Sequence, residues 1–454
     1  MSGSILSNGT LGLSFGGLFL AAPPSGLPAG GSSGLVSASI IAGGQSNMGF
    51  ASTDGAQNTI AAGLKFYLGA AAATGHAAWG NSGTACTAVS GIGIYEIDTP
   101  TNYGLAFLDN TSGGGSPTVA DAQAAPLGIC GTGYAAFVTN LGSATSSIMA
   151  AISYWGETDA LEYSANNKAV YIAACVNWMA KVRGMLGKTA AELPFWWFGP
   201  PYATNDYVMW ESWAQLAADP AQNAVFLVPQ TSDSNTRGAT WDPTTGYATV
   251  GTVPGHRDAP DNIAIFNRGC LAGARSILAS NGLAADLIPA SLGSGLGPSV
   301  VGAALNGDVI DITIQHDAGT DLIVPLLASQ GVGWAVMDGG SNASPGNIIQ
   351  AVSCVRTSTT TLAVTLAKAP TNAATACRLF YPWFNENNPA QPYAYIGRGD
   401  AVTDNWSSVS AASGTFNIAG ALGSTYGNNM PVQPPMTLSG TGAATVAEYG
   451  IALT

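Results

Sequence analysis

The sequence predicts an α/β unit built on a mostly parallel sheet, followed by an antiparallel β-sandwich. Two patterns carry that expectation. Up to about residue 284, short apolar runs alternate with segments of helical periodicity, the grammar of βαβ units. Beyond it the helical periods stop, and short alternating runs such as Thr361-Leu362-Ala363-Val364-Thr365-Leu366 follow one another between Gly, Asn, Asp and Pro turns.

Residues 1–34 are rich in Gly, Ser and Pro (Pro23, Pro24, Pro28) and read as an arm and linker. Leu11 to Ala22 has the apolar character of a signal segment, but Met1 to Thr10 carries no Lys or Arg. An ordered arm that packs on the chain or on a partner is therefore expected. The α/β unit, residues 35–284, opens on the β-prone run from Leu35 to Ala42. After Ser46 an irregular, Gly/Ala-rich segment is expected to about residue 128, with a strand at Gly91 to Ile97 and a short element at Tyr134 to Leu141. Ser147 to Tyr154 is an apolar run. Tyr171, Cys175, Trp178, Val182 and Met185, spaced by four and three, mark an amphipathic helix over Asn167 to Leu186. Pro194 to Phe198 reads as a buried strand stopped by Gly199-Pro200-Pro201. A helix at Val208 to Leu216, a strand at Ala224 to Pro229 and one closing helix at Pro260 to Leu278 complete the unit. In the β-unit, residues 285–385, strands are expected at Val309 to Ile314, Leu322 to Leu327, Gly333 to Met337, Ile348 to Val355, Thr360 to Leu366 and Thr375 to Tyr381. Residues 386–454 read as an irregular extension that wraps the other domains or meets partners.

Composition narrows the function classes. The 454 residues suffice for two or three domains. Charged residues make up only 9%, against about 25% in a typical soluble domain. With 59 glycines, this is a smooth, uncharged surface suited to an extracellular, cell-surface or virion protein, working as a homo-oligomer or within a larger assembly. The net charge is −13, and the 13 Lys and Arg form no cluster. Nucleic-acid binding through phosphate neutralisation is excluded on that ground, and a lightly charged polysaccharide or glycan is the expected partner. No apolar run is long enough for a transmembrane helix. The six cysteines form no CxxC pair, so zinc and redox motifs are unsupported. Cys175 and Cys270 read as core thiols, and Cys354 and Cys377, in neighbouring expected strands, as candidates for a disulfide.

The chemistry centres on Ile40-Ile41-Ala42-Gly43-Gly44-Gln45-Ser46-Asn47-Met48. A strand, two glycines and then a serine is how α/β hydrolases present a nucleophile at the carboxyl end of a strand. Gly44-Gln45-Ser46-Asn47-Met48 resembles the first signature block of the SGNH hydrolases, and more narrowly that of the sialate O-acetylesterase and acetylxylan esterase branch. The resemblance implies a three-layer α/β/α, flavodoxin-like fold, hydrolysis of acetyl esters on sugars, Ser46 as nucleophile, and no metal or cofactor.

A serine needs a base, and the chain has three histidines. His76 has no acid nearby, and His316 reads as a solvated turn residue. His256, in Pro-Gly-His-Arg-Asp directly before the closing helix, stands where an SGNH hydrolase holds its base. The family writes an Asp three residues earlier, where this chain has Val253. A rival register through Asp261-Asn262-Ile263 puts Ala264 in place of the histidine. Trp155-Gly156-Glu157-Thr158-Asp159 is similar to the branch's Gln-Gly-Glu-x-Asp block, with Trp for Gln, and offers Glu157 as the acid behind His256. Asp258 (in a His-x-Asp arrangement), Asp242 and Asp261 are the alternatives. For the oxyanion hole the resemblance points to the Ser46 N–H, Gly133 and Asn47. Gln45, Trp155 and Arg257 are candidate substrate contacts. Tyr154, Trp196, Trp197, Tyr202 and Trp210 crowd the same sheet edge and read mainly as core. Two functions follow: a serine O-acetylesterase on acetylated polysaccharide, or a structural or adhesive surface or phage-tail component that uses the hydrolase scaffold to bind carbohydrate.

Overall fold

The structure is a computed structural model that describes residues 38–44, 46–68, 92–98, 118–124, 142–154, 168–199, 207–242, 247–248, 252–283, 285–342, 344–383, 401–407 and 429–454. The N-terminal arm, the expected element at 134–141, His76, Cys86 and Cys130 lie outside the described residues.

The first unit is a five-stranded parallel sheet of β1 (Ala38–Gly44), β2 (Ile92–Asp98), β3 (Ile148–Tyr154), β4 (Phe195–Phe198) and β5 (Ala224–Val228), in the order β2-β1-β3-β4-β5. The chain leaves β1 to one side for β2 and returns to its other side for β3. Such a reversal of strand order is where open parallel sheets bind ligands, outside the carboxyl ends of the strands, here those of β1 and β3.

The strands are apolar on both faces because both faces are covered. On β4, Phe195 and Trp197 join one core cluster and Trp196 and Phe198 the other, the two-residue period of a strand. The first cluster is closed by α4 (Lys168–Leu186) and α5 (Tyr207–Ala218), where Trp197 stacks on Trp213 at 5.4 Å. The second is closed by α1 (Ser46–Thr53), α2 (Ala56–Leu68), α6 (Ala259–Arg268) and α7 (Cys270–Ser280). A short α3 (Val119–Ala124) packs near α4.

Three local expectations change here. Two helices, not an irregular segment, follow Ser46. The closing helix is two helices, broken at Gly269. A methyl group there would come within 2.7 Å of Leu227 Cδ2, so the break sits where the chain presses against β5. Small antiparallel pairs also precede it: β6 (Thr236–Arg237) with β9 (Val253–Arg257), and β7 (Trp241–Asp242) with β8 (Tyr247–Ala248).

The second unit is antiparallel. Its strands are β10 (Ser299–Asn306), β11 (Val309–Gln315), β12 (Leu322–Ile323), β13 (Ala335–Ser341), β14 (Ser344–Arg356), β15 (Thr361–Leu366) and β16 (Cys377–Phe380), with a turn of helix α8 (Leu326–Ser329). The region expected to be irregular supplies β17 (Thr403–Ser407), β18 (Asn429–Pro431), β19 (Met436–Ser439), β20 (Val446–Tyr449) and β21 (Ile451–Ala452). Seven strands run β10-β11-β15-β14-β13-β16-β21, and a second sheet runs β12-β17-β18 over the same core. The large sheet also curls: Leu305 N–H donates to Thr454 O and Thr454 N–H to Ala303 O, both at 3.0 Å, joining its two ends almost as a barrel does. Cys354 and Cys377 are both buried free thiols. Cys354 is on β14 and Cys377 on β16, with β13 between them. Two strand spacings, about 9–10 Å, exceed what a disulfide spans.

The units share a core. Met337, Phe380 and Tyr449 of the β-unit enter the cluster around α4 and α5, and Tyr449 meets Trp210 at 4.9 Å. At its centre the buried Glu211 accepts from Lys168 Nζ (2.8 Å), Asn342 Nδ2 (2.6 Å) and Tyr449 N (2.8 Å).

Candidate active site

β1 ends on Gly43 and Gly44, in register with Ser153 and Tyr154 of β3, and α1 begins at Ser46. The serine therefore stands at a strand-to-helix turn at the carboxyl edge of the sheet, its N–H in the first turn of an eight-residue helix. Asn47, buried beside it, accepts the Arg257 backbone N–H through Oδ1 at 3.0 Å. One turn further, the Phe50 ring meets the imidazole of His256 edge to face, with centroids 4.9 Å apart and planes at 76°. Two contacts thus tie α1 to β9, and each involves His256 or its neighbour.

β9 is held from behind. It pairs with β6, and Asp258 N–H donates to Asn235 O at 3.1 Å. Arg257 is fully buried, and its Nη2 donates to Gly199 O (2.8 Å) and Thr231 Oγ1 (2.7 Å), with the guanidinium over the Tyr154 ring. This corrects the substrate contact expected of Arg257: its side chain points into the protein and braces β9 against the end of β4. Tyr154, Trp196, Trp197 and Trp210 are likewise buried in the core and offer no exposed face for sugar stacking.

The acids separate by their partners. Asp258 stands at the N-cap of α6 without a capping bond from its side chain, directly after the β9 strand. Asp261 is buried, and its Oδ2 accepts from Asn235 N at 2.8 Å, a bond that anchors the loop before β6. Ala264 lies buried inside α6, so the rival register leads into the core. Asp242 lies on β7 and, like Ser46, is described by its backbone alone. Glu157, Gly133, Gln45, Trp155 and Tyr202 lie outside the described residues. β2 ends on Asp98 in register with Gly44, a further carboxylate position at this edge that sequence reading passed over.

Sequence reading also missed the group around Phe50. Arg237 Cζ lies 4.3 Å from the Phe50 ring centroid. Its Nη1 and Nη2 donate to Asp54 at 2.8 and 2.7 Å, and these bonds raise the guanidinium's pKa above its ordinary value. Asp54 also accepts from Asn262 Nδ2 (2.9 Å), whose Oδ1 accepts from Tyr154 OH (3.3 Å). The i, i+4 spacing of Ser46 and Phe50 was the available signal, once α1 is known to be helical. Elsewhere, His316 is not a solvated turn residue: its Nδ1 is 3.5 Å from the buried Asp404 carboxylate and its Nε2 2.8 Å from Thr359 O. Among the described residues, no cluster of three His, Cys, Asp or Glu could hold a metal ion, and no helix is long and apolar enough to cross a membrane.

No family model matches the sequence, and no curated protein matches it. Among solved structures, the chain is similar to a carbohydrate acetylesterase from Xanthomonas citri at 16% identity over 81% of both chains, with a TM-score of 0.44. It is also similar to the N-terminal part of the bacterial S-layer protein SbsC, at 12% identity over 27% of both chains and a TM-score of 0.15.

Proposed function

We propose that this chain is a serine O-acetylesterase of the SGNH type that removes acetyl groups from a glycan or polysaccharide. The observation that carries the reading is the double tie between α1 and β9. Asn47 bonds Arg257, and Phe50 meets His256, which brings the start of α1 and the end of β9 together; the residue before Asn47 and the residue before Arg257 are the pair this reading takes as catalytic. Those residues are Ser46 and His256. The β2-β1-β3-β4-β5 order and the helices on both faces of the sheet fit a flavodoxin-like three-layer fold with its site at the β1/β3 reversal.

In this mechanism Ser46 Oγ attacks the acetyl carbonyl while His256 takes its proton. The tetrahedral oxyanion is met by the Ser46 N–H at the α1 N-terminus, Gly133 and Asn47. The bond to the sugar oxygen breaks as His256 returns the proton to it, leaving acetyl-Ser46. Water, deprotonated by His256, then releases acetate and restores the serine. Glu157 orients the imidazole, with Asp258, Asp242 and Asp261 as alternatives. With the Asn47 Oδ1 bonded to Arg257 N, the amide's NH2 end is the one that serves as donor. We further propose residues 35–284 as the catalytic domain, with residues 285–385 and 386–454 forming the β-unit and its extension. An extracellular, cell-surface or virion setting and assembly into an oligomer are part of the same proposal.

The test is p-nitrophenyl acetate hydrolysis by the whole chain. Loss of turnover in Ser46→Ala supports the reading. Equal rates in variant and parent overturn it and leave a carbohydrate-binding scaffold as the function.

A further inference from the structure

We propose that Phe50, backed by the Arg237–Asp54 ion pair, is a positioning residue that sets the plane of the His256 imidazole. The inference rests on the esterase reading for its consequence in catalysis, but not for its geometry. A general base works only when its nitrogen is aligned with the proton it takes, and small misplacements are costly. On one side His256 is bounded by an aromatic ring at 4.9 Å and 76°, and an edge-to-face contact fixes the angle between two rings as well as their distance.

Phe50 can impose that angle only if it is itself held. Arg237 lies over its ring at 4.3 Å, and two bonds to the Asp54 carboxylate fix the guanidinium plane. Arg237 Nη1 also donates to Arg257 O at 3.3 Å, the carbonyl of the residue that follows His256. The Asp54 side chain is 4% exposed and is secured by Asn262, which Tyr154 secures in turn. An unbroken series of contacts therefore runs from the end of β3 through α6, the turn after α1 and β6 to Phe50, and reaches the imidazole on β9. Every link is made by a planar group (phenol, amide, carboxylate, guanidinium or phenyl), so orientation as well as position is transmitted.

The experiment uses the full chain with Phe50→Leu, Phe50→Tyr, Arg237→Met and Arg237→Lys. Phe50→Leu is expected to lower kcat about tenfold with KM unchanged, and Phe50→Tyr, which keeps the ring, to restore it. Arg237→Met lowers kcat in the same way, and Arg237→Lys does not rescue it because an ammonium lacks the fork that Asp54 grips. A kcat for Phe50→Leu within about twofold of the parent, or an equal loss in Phe50→Tyr, overturns the proposal. A second readout needs no turnover. In ring-labelled protein the His256 NMR signals, assigned with His256→Gln, should move in Phe50→Leu and also in Arg237→Met, which keeps the Phe50 ring and its ring current, while those of His316 stay in place. Unmoved His256 signals overturn the proposal even if the parent shows no Ser46-dependent hydrolysis, the result that would instead end the esterase reading.

Discussion

Asn47 Oδ1 accepts the backbone N–H of Arg257 at 3.0 Å across 210 residues of chain. Asn47→Ala leaves that buried N–H without its acceptor, at a cost of about 1–3 kcal/mol. Asn47→Asp keeps an acceptor and should be milder in urea denaturation. Both variants lose the amide donor, so both should lower kcat for acetyl-ester hydrolysis. Activity and stability therefore part company in the aspartate variant.

Glu157→Gln is expected to reduce esterase kcat more than Asp258→Asn. The opposite ranking in steady-state assays would move the acid to the N-cap of α6.

Gly199 sits at the end of β4, where a methyl group would lie 2.3 Å from the Pro229 carbonyl oxygen. That contact is with backbone, so the strand must move and the Gly199 carbonyl leaves Arg257. Gly199→Ala should cost about 1–3 kcal/mol by chemical denaturation.

Arg268 and Asp233 form a fork-to-carboxylate pair at 2.8 and 2.6 Å, each side chain 2% exposed. Arg268→Met or Asp233→Leu alone should cost about 3–5 kcal/mol, because either leaves a buried charge behind. The double variant should cost less than the sum of the singles, which a double-mutant cycle reads directly.

Two carboxylates of the β-unit give opposite pH dependences. Burial pushes Asp404 up to about 6, against hydrogen bonds from Trp406 N and His316. Its contribution to stability is complete below the unfolded value near 4 and is lost as pH rises through about 6. Asp338 is also opposed by burial, but bonds from Thr371 and Asn372 outweigh it and hold the carboxyl well below its usual range. Its contribution is complete above the unfolded value and is lost as pH falls through the folded one. Melting temperatures across pH should show Asp404→Asn flattening the pH 4–6 limb and Asp338→Asn the limb below pH 4.

Much of the frame was legible because it is written in local periodicity. The Tyr171-Cys175-Trp178-Val182 stripe and the Pro-Phe-Trp-Trp-Phe strand lie within about a residue of their expected ends. The helices after Ser46 were missed because Gly, Ser, Thr and Asn within 46–58 mimic loop composition, while burial of Met48, Ala51, Ile60 and Leu64 against the sheet overrides weak propensity. The curl of the large sheet was hidden because the two-residue β21 pairs with β16 more than seventy residues away, and Thr454 just beyond it bonds Ala303 151 residues away. The same limit applies to the site. Ser46 and His256 stand out as residue types, whereas nothing local links Phe50 and Asp54 to Arg237, 183 residues beyond Asp54. Arg257 looked like a ligand contact because an arginine beside a candidate base reads as exposed until its burial is seen.

The sharing of Glu211 between Lys168, Asn342 and the Tyr449 backbone has a mechanical consequence. A carboxylate gripped from both units, inside an aromatic cluster that also spans them, ties the parallel sheet to the β-unit. The two should turn as one rigid body in solution and melt in a single calorimetric transition. Whatever the β-unit is fastened to would then set the orientation of the sheet edge where Ser46 stands.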